Sequence, residues 1–571
     1  MAMFHGGRLV AKALKAEGVE CLFTLCGGHI QSIYDGCLDE GIRVVDTRHE
    51  QSAAHAADGW ARVTGRPGVC AVTAGPGVTD AVTAVANAFR AGVPMLIFGG
   101  AGPRVFKDMG SLQDMDHVEL MRPITKWSAT VGESRRLAEY VSIAFRKATS
   151  GVPGPVFLEV PLDVLMEFVD DAQVSIPTSS RSEARTAPDP EYVDRALALA
   201  AKAERPIAII GSQLRWSRDP QGTIERFASE TGIPTFVNGM ARGLLDPSGP
   251  HFLNRSRKMA LKQADLLLVF GTPFDFRLSY GQSKPIAPGP QSGQAGSLML
   301  RITTPVINPD ARIIQVDLDG NELGRNRTQG VDVGLCADTG LTLAALASGL
   351  GSGMSARLAG WNAAIRENEE KQWDKMRSQI AIETDPPNPL RVCHELNRYL
   401  RPGDVVVGDG GDFVATAAYV LKPFGVGTWM DPGPLGTLGV GPGYAMAAKL
   451  ARPGARVIIV FGDGSFGLNG MEFEAMARQK IPVVGIIGND AGWTQILRGQ
   501  RELYGKDRIV ATTLDYTRYD KVVEALGGHG EWVDTCAGLV PALDRAFAAD
   551  KPALVNVKIG ASSFREGSIS V

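Results

Sequence analysis

The sequence predicts an α/β protein built from three doubly wound domains, each with a parallel β-sheet between two layers of helices. Short apolar runs rich in β-branched residues end in glycine or proline, and segments of helical length separate these runs along the chain. This alternation is typical of strand–helix–strand units, whose strands lie parallel and adjacent. A chain of 571 residues with 44% hydrophobic and 21% charged residues can form several such cores.

Two polar segments divide the chain into the three predicted domains. One is rich in Pro, Ser and Arg and covers residues 175–192, and the other, residues 351–388, is charged and ends in a Pro-rich boundary. Both compositions are typical of connections between domains. We therefore predict domains at residues 1–175, 190–348 and 385–571.

In the first predicted domain, an amphipathic helix precedes strands that end in glycine or in polar residues. One strand ends in a glycine turn that contains Gly28 and His29, and the strand IRVVDTRHE ends at Glu50, where a helix begins. Open α/β sheets bind ligands at the carboxyl ends of their strands, so these residues are candidates for a site. Each also has a simpler interpretation, because an acid stabilises the first turn of a helix and a loop histidine often only forms hydrogen bonds.

The central segment is predicted to form a second α/β unit. One of its strands ends in Asp317 and Asp319, and the loop FDFRLSYG contains Arg277. An ordinary ion pair with Asp275 is the simpler interpretation of Arg277.

Residues 457–493 contain the strongest motif of the chain. One apolar strand ends at Gly462, Asp463 and Gly464, and a second, after a helical segment, ends just before Asp490. Because the two strands are parallel neighbours, both carboxylates are predicted at one sheet edge. Two carboxylates suit Mg²⁺, and glycines at a helix N-terminus suit a phosphate group. The alternative interpretation is an ordinary nucleotide-binding turn.

The composition argues against several other classes of protein. The net charge is −3 and no basic block is present, so nucleic-acid binding is not predicted. The N-terminus has no apolar segment long enough for a signal peptide or an anchor, so no membrane association is predicted. Seven scattered cysteines without a CxxC pair indicate reduced thiols and a cytoplasmic location. Cys26 has no nearby base signal that would favour a nucleophile.

These motifs resemble those of thiamine-diphosphate enzymes of the acetolactate-synthase-like family. The resemblance covers nearly the whole chain and is carried by segments such as FTLCGGHI, AVTAGPG, GTLGVGPG and GNDAGWTQI. It implies thiamine diphosphate and Mg²⁺ as cofactors, with the metal held by Asp463, Asp490 and the carbonyl of Gly492. Asp490 is a departure, because the family usually has an amide there, and the acid adds a negative charge to the site.

The resemblance also implies roles for residues on both sides of the cofactor. Glu50 is expected to bond N1′ of the aminopyrimidine ring and so to activate the thiazolium carbon. Gly436 is expected to accept from the 4′-amino group, and Leu438 to wedge the two rings together. As structure alone, Leu438 is a core leucine. The full cofactor-binding set is Glu50, Gly436, Leu438, Gly462, Asp463, Gly464, Ser465, Asp490, Gly492 and Trp493.

Other residues are expected to face the substrate. His29 is unusual, because most synthase-like members lack a histidine at this turn, and it is a candidate proton acceptor. Gln113 matches a glutamine that reaches the site in acetolactate synthases, although it equally fits a helix cap. The predicted catalytic residues are therefore Glu50, His29 and Gln113, and the predicted substrate contacts are Gly28, Arg277, Thr494, Gln495, Phe564 and Arg565.

Within the family, the sequence is most similar to the 2-hydroxyacyl-CoA lyases. That implies cleavage of a 2-hydroxyacyl-CoA to formyl-CoA and an aldehyde or ketone, with CoA thioesters and small carbonyl compounds as substrates. The alternative is acetolactate synthase, which condenses two 2-oxoacids with decarboxylation. The matching central domain of relatives binds FAD, ADP, the nucleotide of CoA or nothing. A non-catalytic subunit is a third interpretation, against which Glu50, Asp463 and Asp490 argue. Active sites between the subunits of a homodimer or homotetramer are expected.

Overall fold

The computed structural model describes residues 3–178, 181–282, 305–560, 562 and 564. Three parallel sheets follow one another along the chain, each covered by helices, and this confirms the predicted fold class. The domain limits derived from the two polar segments stay predictions. Within the described ranges, no helix combines the length and the apolar character needed to cross a membrane.

The first sheet lies between two layers of helices. Its region contains the strands β1 (Met3–His5), β2 (Cys21–Thr24), β3 (Arg43–Asp46), β4 (Gly68–Val72), β5 (Met95–Ala101), β6 (Trp127–Thr130), β7 (Pro155–Pro161) and β8 (Phe168–Asp170). Its helices are α1 (Gly6–Ala16), α2 (Gln31–Glu40), α3 (Glu50–Thr64), α4 (Pro76–Ala91), α5 (His117–Met121), α6 (Leu137–Thr149) and α7 (Leu162–Met166). Six strands pair in parallel in the order β3-β2-β4-β5-β7-β6, and β1 and β8 form a separate antiparallel pair.

The central sheet has five parallel strands in the described residues. They are β9 (Pro206–Ile210), β10 (Thr235–Val237), β11 (Leu266–Phe270), β12 (Arg312–Asp317) and β13 (Val333–Cys336), in the order β10-β9-β11-β12-β13. The surrounding helices are α8 (Pro190–Ala200), α9 (Pro220–Thr231), α10 (Arg257–Gln263) and α11 (Thr339–Leu350). Two further helices, α12 (Gly353–Arg357) and α13 (Ala359–Ile380), lead to the third sheet.

The third sheet has six parallel strands. They are β14 (Val405–Gly408), β15 (Trp429–Met430), β16 (Val457–Gly462), β17 (Val484–Asn489), β18 (His529–Val533) and β19 (Ala553–Lys558), in the order β15-β14-β16-β17-β19-β18. The helices are α14 (Pro389–Leu396), α15 (Asp412–Val420), α16 (Gly441–Ala451), α17 (Asp463–Asn469), α18 (Glu472–Arg478), α19 (Thr494–Tyr504), α20 (Tyr519–Ala525) and α21 (Cys536–Ala548). The sequence predicted one helical segment after β16, whereas the structure has two, α17 and α18, which meet at Gly470.

Each sheet has a point at which its first two strands run one way in the strand order and the next strands run the other, and such reversals mark where ligands bind in open α/β folds. The reversal lies between β2 and β4 in the first sheet, between β9 and β11 in the central sheet, and between β14 and β16 in the third. The strands on both sides of each reversal are almost entirely buried apolar residues, so the polar groups begin where the strands end. Three places for a site therefore follow from topology alone.

The first and third domains are joined through α3 and α16. Asp58 is fully buried in α3 and accepts hydrogen bonds from Arg62, from Asn87 and from the hydroxyl of Tyr444, the last at 2.6 Å. Arg62 also donates to the carbonyl of Asp431 at 2.7 Å. Every buried charge of this junction is thus paired, as burial in a low-dielectric interior requires.

Candidate active site

The glycine turns after β14 and β16 lie against each other at the reversal of the third sheet. The amide of Gly462 donates to the carbonyl of Gly410 at 2.7 Å, and the hydroxyl of Ser465 donates to the same carbonyl at 3.0 Å. Gly411 has φ +114°, which favours glycine, and a Cβ there would lie 3.0 Å from the Cα of Gly462. The predicted turn is therefore one half of a paired structure, in which Ser465 ties the two halves together.

Asp463 and Asp490 follow the neighbouring strands β16 and β17, so the predicted sheet-edge arrangement is confirmed for their positions. Burial, and after it the charge of Asp490, raise the pKa of Asp463 to about 7. Burial also raises the pKa of Asp490, to about 6. A buried carboxylate, Asp463, beside a partly buried one, Asp490, whose charge opposes its ionisation, fits a divalent cation.

The segment after β17 completes this donor set. The amide of Gly492 donates to Asp463 at 3.0 Å, and among the described residues no hydrogen bond reaches the Gly492 carbonyl. The neighbouring Thr494 side chain partly offsets the rise in the pKa of Asp490. A Cβ on Gly464 would lie 2.8 Å from the indole of Trp493, so only glycine fits there. These residues fit Mg²⁺ and a diphosphate, because two carboxylates and an open carbonyl are oxygen ligands at a glycine-rich helix N-terminus.

Gly436 and Leu438 lie beside the same turns and line one cavity with Gly410 and Gly411. Leu438 packs so closely that a Cβ on Gly410 would fall 1.9 Å from its Cδ2 atom. Asp409, buried at the end of β14, accepts from the amides of Gly439 and Gly441 at 2.8 and 2.7 Å and so anchors the segment. A half-buried leucine held in a cavity fits the predicted wedge beneath the thiazolium ring.

Glu50 begins α3 and is 8% exposed. Burial raises the pKa of its carboxyl, and the nearby charge of Asp80 raises it further. Among the described residues, no hydrogen bond or ion pair joins Glu50 to the glycine turns of the third sheet. The start of α3 contacts α18 of the same chain instead, where Glu472 accepts from the amide of Arg48 at 3.0 Å. Within one chain, therefore, no hydrogen bond among the described residues links Glu50 to Asp463.

His29 lies at the reversal of the first sheet, in a 3₁₀ turn from Gly28 to Ile30. Its Nδ1 atom is 3.1 Å from the hydroxyl of Thr73, which in turn lies 3.5 Å from Oε1 of Gln113. The structure thus brings two of the predicted catalytic residues, His29 and Gln113, to one threonine. Burial lowers the pKa of His29, so its neutral form is favoured near neutral pH.

Arg277 lies where two cavities adjoin, each of about 370 Å³. One cavity is lined by Leu438, Gly436 and Gly410, and the other follows the reversal of the central sheet. Both are lined by Arg277, whose guanidinium is paired with Asp275 at 2.6 Å, as the simpler interpretation expected. We call the first of these the wedge cavity and the second the central cavity, and Arg277 lies where their linings meet.

Asp317 gives the central cavity a polar end. It is 1% exposed, accepts at Oδ1 from Gln213 at 2.7 Å and from the amide of Asp319 at 2.8 Å, and its Oδ2 atom has no partner among the described residues. Burial raises the pKa of Asp317 to about 6. An orphaned buried acceptor fits a hydroxyl-bearing ligand such as a ribose.

The remaining predicted contacts lie on α19 and in the tail. Thr494 and Gln495 begin α19, and an ion pair between Arg498 and Asp412 at 2.9 Å ties this helix to the turn after β14. Phe564 packs edge-on against Tyr419, with ring centroids 5.7 Å apart, rather than entering either cavity. Arg565 lies outside the described residues.

Comparison with known proteins matches each sheet region to a domain of one enzyme family. Residues 4–120 match the N-terminal TPP binding domain of thiamine pyrophosphate enzymes, residues 193–346 their central domain, and residues 409–557 their C-terminal TPP binding domain. The chain belongs to the thiamine pyrophosphate enzymes. The glycine turns described above lie within the residues that match the C-terminal TPP binding domain (thiamine pyrophosphate is the same compound as thiamine diphosphate).

Relatives of this thiamine pyrophosphate enzyme carry two different names. It is 39% identical over 555 residues to a "Probable acetolactate synthase" of Mycobacterium bovis, covering 97% of this chain and 95% of that protein. It is 38% identical over 609 residues to "2-hydroxyacyl-CoA lyase 2" of Caenorhabditis elegans, covering 99% and 91% of the two chains. The human protein of the same name is 36% identical over 610 residues, with 99% and 92% coverage. The predicted family resemblance is confirmed, and the enzyme is of the lyase or the acetolactate synthase type.

Three residues of this site were not among the predicted ones. Asp409 is the acid of the segment Gly-Asp-Gly-Gly at the end of β14. This segment resembles the Gly-Asp-Gly turn around Asp463, so the sequence did contain a signal for Asp409. Asp412 is in the same segment. Thr73 had no local signal, because only the pairing of β2 with β4 brings it to His29.

Proposed function

We propose that this enzyme is a carbon–carbon lyase that cleaves 2-hydroxyacyl-CoA to formyl-CoA and an aldehyde or ketone, and that also condenses them. The observation that carries the proposal is His29, a histidine with a lowered pKa at the reversal of the first sheet, in a turn that the family resemblance implies to be near the substrate. Cleavage of a 2-hydroxyacyl group requires a base at the 2-hydroxyl, whereas loss of carbon dioxide from pyruvate does not. A neutral imidazole suits that task.

The proposed cleavage is balanced without any oxidant or reductant. When bound, thiamine diphosphate would supply a nucleophilic carbon and an electron sink for the charge left at the thioester carbon when the neighbouring C–C bond breaks. His29 takes the proton of the 2-hydroxyl, whose oxygen becomes the carbonyl oxygen of the aldehyde or ketone. A proton is delivered to the former thioester carbon, which leaves as formyl-CoA. Glu50 holds a proton at the aminopyrimidine ring.

We further propose that Asp463, Asp490 and the carbonyl of Gly492 hold Mg²⁺, and that Leu438 supports the bent cofactor. The central cavity is proposed to hold an adenine nucleotide, either ADP, FAD or the nucleotide part of CoA. The unpartnered Oδ2 atom of Asp317 supports a ribose hydroxyl at that end. Mass spectrometry of the purified protein for thiamine diphosphate, FAD and ADP tests these assignments, and finding FAD would favour the synthase alternative.

Acetolactate synthase remains the alternative, and the relative from Mycobacterium bovis supports it. Incubation with formyl-CoA plus an aldehyde, and separately with pyruvate, distinguishes the two reactions. We expect 2-hydroxyacyl-CoA in the first reaction and no acetolactate in the second. More efficient formation of acetolactate would contradict the lyase proposal.

A substitution of His29 tests the role that carries the proposal. We expect His29→Asn to lower the rate of cleavage about 100-fold or more, while thiamine diphosphate still binds, because His29 does not line the cofactor turns. The matched control is His394→Asn, which replaces an exposed histidine of α14. Full cleavage activity in His29→Asn would show that another group takes the hydroxyl proton.

We propose a homodimer or homotetramer in which Glu50 of one subunit serves the glycine turns of another. Within one chain, no hydrogen bond among the described residues links Glu50 to Asp463, and this supports the arrangement. A non-catalytic subunit, the third interpretation, is disfavoured because Glu50, Asp463 and Asp490 are all present, the first two buried and Asp490 partly buried.

A further inference from the structure

Thr73 and His29 each pack against a glycine that leaves no room for a side chain. A Cβ on Gly27 would fall 2.3 Å from the Cβ of Thr73 and 2.6 Å from its Oγ1 atom. A Cβ on Gly100 would fall 2.5 Å from the Cβ of His29. Thr73 is also buried, with 7% exposure. The contact between the two side chains is therefore built into the backbone and does not depend on a mobile loop.

The two hydrogen-bond partners of Thr73 determine which of them receives its single hydroxyl proton. Nδ1 of His29 lies 3.1 Å from Oγ1 of Thr73, and Oε1 of Gln113 lies 3.5 Å from the same atom, at the outer limit of a hydrogen bond. An amide oxygen only accepts, so the Thr73 hydroxyl donates to Gln113 and accepts from His29. The Nδ1 atom of His29 must then carry the imidazole proton.

The turn that carries Thr73 is fixed from its other side. Gly75, at φ +58°, donates its amide proton to Nε2 of His117 at 2.8 Å, and Nδ1 of His117 contacts Glu159 at 2.7 Å. His117 is fully buried. Because the Nε2 atom of His117 accepts from a backbone amide, its proton is on Nδ1 and is donated to Glu159. This arrangement stops the turn from rotating Thr73 away from His29.

We propose that Thr73 is a positioning residue that holds His29 in the Nδ1-protonated tautomer, so that Nε2 is the atom that accepts the substrate proton. The use of Nε2 rests on the proposed role of His29 as the base. The tautomer itself does not, since it is a property of the protein without substrate. The ring nitrogen that reacts in a histidine is set by the partner of the other nitrogen.

Nitrogen NMR on protein labelled with ¹⁵N-histidine tests the tautomer directly. The His29 signals are assigned as those lost in His29→Asn. We expect Nδ1-protonated His29 in the unmodified protein, a mixture of tautomers in Thr73→Val, and recovery of the single tautomer in Thr73→Ser. Nε2-protonated His29 in the unmodified protein would overturn the proposal, as would an unchanged tautomer in Thr73→Val. If Thr73→Val does not fold, the signal of the unmodified protein decides alone.

Kinetics then separates this proposal from the lyase proposal. We expect Thr73→Val to lower kcat for cleavage about 10-fold or more without raising KM, and Thr73→Ser to recover most of it. The control, Thr79→Val, replaces an exposed threonine in the first turn of α4. Absence of cleavage by the unmodified enzyme would refute the lyase proposal and leave the tautomer result standing. Unchanged kcat in Thr73→Val would refute the positioning role.

Discussion

Asp463 and Asp490 place two acids at one buried sheet edge, and this makes the stability of the protein depend on pH. The folded-state pKa values, about 7 and about 6, lie above the ordinary value of 3.8. A carboxyl with a raised pKa binds more protons in the folded than in the unfolded state. Without a cation, the contribution of these acids to the free energy of unfolding therefore falls as pH rises from about 4 to about 7.

Mg²⁺ is expected to reverse this loss, because it stabilises both carboxylates in their charged form. We predict that Mg²⁺ raises the melting temperature more at pH 8 than at pH 5, and that EDTA removes the difference. Each pKa unit corresponds to about 1.4 kcal/mol, so the ceiling is several kcal/mol. In Asp463→Asn the effect of Mg²⁺ is expected to be small at both pH values. An equal Mg²⁺ effect at pH 5 and pH 8 in the unmodified protein would contradict this account.

Glu50 is predicted to be needed for cofactor activation and not for folding. We expect Glu50→Ala and Glu50→Gln to lower turnover by about 100-fold or more. The free energy of unfolding should change by under about 1 kcal/mol, since Glu50 contributes mainly as a first-turn helix acid to stability. Turnover and urea denaturation measure the two quantities. An active Glu50→Ala enzyme would refute the activation scheme.

At the scale of loops and turns, the position of Leu438, the predicted wedge residue, depends on Gly410, which lies in a different turn. Gly410→Ala would place a methyl group 1.9 Å from Cδ2 of Leu438 and so displace the leucine. We predict that Gly410→Ala and Leu438→Ala both weaken thiamine diphosphate binding, about 10-fold or more by loss of packing contacts. Isothermal titration calorimetry measures the affinity.

The matched control for this pair is Gly454→Ala. A Cβ there would have no atom within 4 Å, and the backbone is not in the left-handed region. Cofactor affinity should therefore be unchanged in Gly454→Ala. Equal affinity in Gly410→Ala and Gly454→Ala would show that the position of Leu438 does not matter.

Sequence patterns at the scale of single elements predicted much of this protein and missed specific contacts. The strands around Asp463 and Asp490 were predictable because buried parallel strands are continuous apolar runs that end in glycine. The break between α17 and α18 was not, because Gly470 and the burial of Glu472 against α3 are tertiary effects. The partnership of Thr73 with His29 needed the pairing of β2 and β4, which local patterns do not give.

At the scale of the whole molecule, the junction of the first and third domains is predicted to depend on Arg62. Its guanidinium pairs with Asp58 at 2.6 Å, and both side chains are almost completely buried. Arg62→Ala leaves a buried carboxylate unpaired, and we expect a loss of about 3–5 kcal/mol in the free energy of unfolding. Urea denaturation measures it.

The control for Arg62 lies four residues away on the protein surface. Arg66 pairs with Glu20 at 2.6 Å, but both side chains are at least half exposed. Arg66→Ala is therefore expected to change stability by under about 1 kcal/mol. Similar losses in the two variants would mean that the buried junction is not a stabilising contact between domains.

The active site is proposed to form between subunits of an assembly. Topology places the cofactor turns at the reversal of the third sheet and His29 at the reversal of the first. Glu50 has no hydrogen bond to those turns within the described chain. The central proposal is therefore that acid and metal ligands on different subunits serve one cofactor.

Subunit complementation tests this most directly. Glu50→Ala and Asp463→Ala are prepared separately, mixed under conditions that exchange subunits, and assayed for hydrogen–deuterium exchange at C2 of bound thiamine diphosphate, which needs no substrate. We predict almost no exchange with either variant alone and recovery to about a quarter of the unmodified rate in the mixture, because half of a random mixture is hybrid and each hybrid dimer has one intact site. No recovery, with hybrid dimers verified by native mass spectrometry, would contradict the account.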